Sequence, residues 1–158
     1  MLKNKYLLFF IFCLLFGALG LFREYFFGYY NNALYFMYNG ETTVPVDGFF
    51  KIFLSLSYKT AYYLKYVFTV TFFILFFTLS YFCLKLLLGD KKILKWFTYS
   101  YLVLLLLSMV LMLWAYFVSV NLESDEYSVS RWLMGIAQSP LPVLIFLATS
   151  KLNPMKQT

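Results

Sequence analysis

Histidine is absent from the 158 residues. Its absence removes the side chain that most often moves protons or binds metals near neutral pH. Only two cysteines occur, Cys13 and Cys83, and they form no C-x-x-C pair. A thiol oxidoreductase therefore lacks its dithiol. Charge is also scarce, at 13% of residues, whereas a soluble domain carries about 25%. With only four prolines and seven glycines, the chain has no Pro/Gly/Ser-rich linker and no glycine-rich phosphate loop. What fills the space is apolar: 63% of residues are hydrophobic and 24% are aromatic. A fold of this length buries only about 70% of its surface and would leave much of that material in water. A soluble enzyme, a disordered tail and a nucleic-acid-binding domain are all excluded. The solvent is a bilayer.

Four charge-free stretches lie between the charges: Tyr6 to Phe22, Tyr66 to Leu84, Trp96 to Leu122 and Trp132 to Ser150. A spanning helix needs roughly 20 apolar residues. Inside lipid each stretch must be helical to satisfy its own backbone. The expected fold is all-α, an integral membrane protein with four spans at about 6–22, 66–84, 96–120 and 132–150. Lysine placement orients it. Lys3, Lys5, Lys85, Lys91, Lys92, Lys95, Lys151 and Lys156 fall on one side with Asp90, a net +7. Arg23, Lys51, Lys59, Lys65 and Arg131 fall on the other with six acids, a net −1. Both termini are thus expected in the cytoplasm. The first stretch runs on through Arg23-Glu24 into further aromatics, so cleavage as a signal peptide is not expected. The fourth contains Gln138-Ser139-Pro140-Leu141-Pro142, where two prolines free the carbonyls of Ile136 and Gln138. A kinked helix is expected there, and a re-entrant segment is the alternative.

Nine of the fifteen tyrosines fall from Tyr25 to Tyr66, eight of them within residues 23–65. Such amphipathic rings suit a membrane–water boundary. Asn31-Asn32 is expected to break a first piece, Gly40 to Thr43 to turn, and Asp47 to cap a second helical piece. From Phe49 onward Lys51, Ser55, Lys59 and Tyr62 recur at helical spacing. This reads as an amphipathic interfacial helix leading into the second span, either resting on headgroups or forming a platform for a partner.

The residues that carry candidate roles are packing residues. Cys13, Gly17, Gly20 and Glu24 share one face of the first helix, where small side chains let another helix approach. Ser108, Ala115 and Ser119 form a weaker seam. Arg23 with Glu24 and Arg131 at span ends are candidates for pairing between helices or subunits, or for simple snorkelling. Gln138 beside Pro140 is the most polar group at depth, fit to bridge helices. Lys59 and Tyr62 mark the outer platform. The acidic run Glu123-Ser124-Asp125-Glu126 lacks calcium-loop spacing and reads as a loop. No catalytic set, metal site, cofactor or nucleic-acid partner is expected.

Three short motifs carry a resemblance: Phe22-Arg23-Glu24-Tyr25-Phe26-Phe27, then Asn31-Asn32-Ala33-Leu34-Tyr35, then Tyr62-Tyr63-Leu64-Lys65-Tyr66. With Arg131-Trp132-Leu133 and Ser139-Pro140, they make the chain similar to small Bacteroidetes membrane proteins encoded beside exosortases, of the exosortase X-associated type. The resemblance implies a non-catalytic accessory role beside an exosortase, the membrane enzyme that processes C-terminal sorting signals through a Cys/Arg/His set. Without histidine this chain does not resemble the enzyme itself. The expected partners are an integral membrane protein or further copies of this chain, together with lipids. A small transporter of a lipid or small molecule is the alternative, with a membrane enzyme on lipid-linked substrates behind it.

Overall fold

The computed structural model describes residues 2–40, 48, 51–118 and 126–152. Six helices follow one another: α1 (Leu2–Asn39), α2 (Lys51–Leu54), α3 (Tyr58–Leu87), α4 (Lys91–Val118), α5 (Glu126–Ala137) and α6 (Leu141–Leu152). No strand occurs among the described residues. Three of these helices are long and apolar enough to cross a membrane: those at Asn4–Asn39, Tyr58–Leu87 and Lys91–Leu111. Together they mark a helical membrane protein.

The helix ends follow local chemistry. α1 stops at Gly40 and α3 at Gly89, both with φ near +70°, the left-handed turn that ends helices and that only glycine adopts without strain. Asp90 then starts α4, its carboxylate accepting from the Lys92 amide at 2.7 Å. Ser57 starts α3 in the same way, its hydroxyl accepting from the Thr60 amide at 3.3 Å.

Three expectations need correction. Asn31-Asn32 does not break the first piece: α1 runs unbroken through it to Asn39. Asn31 and Asn32 are exposed while Tyr30, Ala33 and Leu34 beside them are buried, so packing outweighs asparagine's weak helix preference. The helix expected from Phe49 onward is interrupted after α2, where Ser55 Oγ donates to Ile52 O at 2.7 Å and closes the turn before Ser57 restarts the chain. The stretch 132–150 is not one kinked helix but two, α5 and α6, parted at 138–140. The turn at 41–43, the Asp47 cap, Ser119 and Glu123-Ser124-Asp125 lie outside the described residues.

The chain divides into two compact units. One is Gly17–Phe72, built from the later part of α1, α2 and the start of α3. Its core is aromatic: Phe26, Tyr30, Ala33, Leu34, Phe53, Ala61 and Phe72 are buried together. Phe26 meets Phe68 edge-on at 4.8 Å, and Tyr30 meets Phe53 edge-on at 5.0 Å, the geometry that ring quadrupoles favour.

The other unit is Met1–Phe16 with Phe73–Thr158. Here Phe16 of α1 stacks on Phe76 of α3 at 6.3 Å, and Lys5 Nζ donates to Leu87 O at 3.2 Å. These two contacts make the segments antiparallel. They also place a cation on the carbonyl end of α3, where the helix dipole favours it. α5 packs chiefly on α4, and α6 touches both.

Candidate functional site

The most organised polar arrangement surrounds Tyr101 on α4. Its side chain is 1% exposed, among Phe73, Phe77 and Phe97. The hydroxyl donates to Ala137 O at 3.0 Å. A phenol has one proton, so its second contact, 3.2 Å to Ser80 Oγ, is accepted from the serine. Ala137 is the last residue of α5, where the helical ladder stops and carbonyls need outside donors. Ile136 O takes the neighbouring Ser139 hydroxyl at 2.7 Å, and Ser139 Oγ in turn accepts from the Leu141 amide at 3.3 Å. The carbonyl that Pro140 frees at Ile136 is therefore satisfied, and Tyr101 covers its neighbour. Gln138 is 3% exposed and Pro142 is buried, while Pro140 is exposed.

Sequence reasoning missed Tyr101. Its partners lie 21 and 36 residues away, a pairing that only the packing of α4 against α3 and α5 creates. A faint signal was there: a tyrosine in a charge-free apolar stretch needs a hydrogen-bond partner for its hydroxyl.

The expected α1 face is open. An added Cβ at Gly17, at Gly20 or at Gly28 meets nothing within 4 Å among the described residues. Cys13 is exposed and Cys83 buried, both as free thiols. Glu24 continues that face, bound to its neighbour Arg23, whose Nη1 donates to Glu24 Oε1 at 2.9 Å. The Arg23 Nε is shielded from solvent with no hydrogen-bond partner among the described residues. Lys59 is exposed near the start of α3, and Tyr62, half-buried, accepts the Tyr66 hydroxyl at 2.9 Å. Arg131 lies in α5. Ser108, from the weaker seam, is buried on α4.

Among the described residues, the candidate side chains gather into no shared centre within either unit. Tyr62 joins the tyrosines of the α3 start, Arg23 and Glu24 pair with each other, and Gln138 sits at the helix break. Several threonine and serine hydroxyls in the apolar helices bond to their own helix backbone, as Thr69 does to Lys65 O at 2.9 Å and Thr98 to Leu94 O at 2.9 Å. No group of metal-ligating side chains occurs among the described residues. No protein family matches the chain, no curated protein is significantly similar to it, and no solved structure matches its fold.

Proposed function

We propose that this is a non-catalytic accessory or scaffold subunit of a larger bacterial inner-membrane assembly, with four spans and both termini in the cytoplasm. The exosortase suggested by the sequence resemblance is the candidate partner, with further copies of this chain as the other.

The observation that carries the proposal is the open face of α1. At Gly17 and Gly20 an added Cβ would meet nothing within 4 Å among the described residues, so this part of α1 leaves room for another helix to approach its backbone. In lipid, where no hydrophobic effect draws helices together, such close approach is a main source of association. The four-span reading is supported by the order of contacts along α4. Tyr101 meets Ala137, and Phe97, one turn nearer the start of α4, meets Phe146 of α6 at 5.4 Å. α6 therefore continues in the direction α5 took, as a crossing requires and a re-entrant loop does not. Burial of Gln138 and Pro142 favours a packed scaffold over a water-lined transport path at the break. The Lys5–Leu87 contact supports shared sidedness for the lysines at the start of α1 and those around the α3–α4 turn.

Co-expression with the exosortase of the same cell tests the reading. The complex should survive mild detergent, and Gly17→Leu should lower recovery of the partner about tenfold, or about 1.4 kcal/mol. Oxidation of the exposed Cys13 reads the homo-oligomer arm, as a crosslinked dimer. A chain that stays monomeric and partnerless in both assays contradicts the proposal.

A further inference from the structure

α4 carries two exposed tryptophans, Trp96 at 61% and Trp114 at 63% exposure. They lie 18 positions apart, so the helix separates them by about 27 Å along its axis and returns them to one face after about five turns. Tyr99, Val103, Leu107 and Val110 continue that face between them, and all are exposed. The stripe is apolar from Val103 to Val110 and aromatic at both ends. The hydrocarbon layer of a bilayer is about 30 Å thick, and an ordinary tilt of about 20° shortens a 27 Å projection only to about 25 Å. Tryptophan favours the interface on either side of that layer, where its ring is half-dissolved and its N–H finds water or headgroups.

The two ends differ in charge. Lys91, Lys92 and Lys95 are all exposed at the Trp96 end, and Lys95 Nζ lies 5.8 Å from the centre of the Tyr99 ring. Lysines at that level suit anionic headgroups of the cytoplasmic leaflet. Beyond Trp114 the sequence carries Glu123, Asp125 and Glu126 instead.

We propose that this face of α4 is covered by lipid acyl chains, and that Trp96 and Trp114 fix the protein's depth, Trp96 at the cytoplasmic interface and Trp114 at the opposite one. The proposal rests on the membrane-spanning reading and adds the lipid-facing side and the level of immersion. A covering protein helix is the competing occupant, and it would have no reason to match tryptophan spacing to bilayer thickness.

Depth-dependent fluorescence quenching in reconstituted vesicles tests it. Trp114→Phe with Trp132→Phe leaves Trp96 as the only reporter, and Trp96→Phe with Trp132→Phe leaves Trp114. A third variant lacks all three tryptophans and carries Leu107→Trp. All these positions are exposed, so the substitutions leave the packing intact. The vesicles are phosphatidylcholine brominated either near the headgroup or near the chain ends. Trp96 and Trp114 should each be quenched roughly twofold more strongly by the shallow bromines, and the Leu107→Trp reporter by the deep ones. Stronger deep quenching at either native tryptophan overturns the depth assignment. Absence of quenching at all three positions means that protein covers the face, and overturns the lipid occupant. Co-flotation with the vesicles is read separately: its failure overturns the membrane reading, whereas co-flotation with the wrong quenching pattern overturns this proposal alone.

Discussion

The two halves of α1 face different surroundings. Before residue 23 its exposed side chains include Leu7, Phe10, Ile11, Leu14, Leu15 and Leu21. After it they include Glu24, Tyr25, Tyr29, Asn31, Asn32, Tyr35 and Tyr38. α3 changes in the opposite order along the chain, from exposed Lys59, Thr60 and Tyr63 to Val67, Val70 and Ile74. One unbroken helix can therefore serve two solvents, and the surface chemistry marks the change where the backbone does not. Length requires the same. The 38 residues of α1 extend about 57 Å, and even a 40° tilt leaves about 44 Å against a hydrocarbon layer of about 30 Å.

The cores of the two units differ as well. Each has a tyrosine only 1% exposed whose hydroxyl donates to an alanine carbonyl, Tyr30 to Ala61 at 2.8 Å and Tyr101 to Ala137 at 3.0 Å. Ala61 lies inside α3, where its carbonyl also has a helical donor, whereas Ala137 ends α5. The largest expected effect comes from removing a ring: Tyr30→Ala should destabilise the Gly17–Phe72 unit by about 3–5 kcal/mol, seen as early proteolysis between α1 and α3 in detergent. A loss below about 1 kcal/mol would mean that aromatic packing does not hold this unit. Tyr101→Phe comes next, at about 1–3 kcal/mol in thermal unfolding, because it strips the donor from a helix-end carbonyl. Tyr30→Phe should cost less, about 0.5–1.5 kcal/mol, and equal costs for the two would erase the distinction between the carbonyls. Smallest is Gly17→Leu. With nothing within 4 Å and a helix interior that prefers leucine to glycine, stability should hold or rise by up to about 1 kcal/mol, while partner recovery falls.

Much of this was legible in the sequence. Charge-free runs between charged residues marked the apolar helices, and Pro140 with Pro142 marked the break, because both signals are local. The later half of α1 was misread since Asn31-Asn32 looks like a break. The correcting pattern was present in Phe26, Tyr30, Ala33, Leu34 and Met37, spaced as one buried helical face. The caps at Ser57 and Asp90 went unread, although both are residue types that start helices. Tyr101 was not readable, since its meaning depends on Ser80 and Ala137 being folded against it.

In the proposed topology α1 crosses the bilayer in its first half and carries its second half to the non-cytoplasmic side. Cysteine labelling in spheroplasts tests this most directly, with Cys13→Ala and Cys83→Ala as background and a membrane-impermeant maleimide as probe. Asn32→Cys should label in intact spheroplasts, Lys92→Cys only after lysis, and Leu14→Cys in neither. An Asn32→Cys site that stays unlabelled until lysis, or a Lys92→Cys site labelled from outside, would contradict the account.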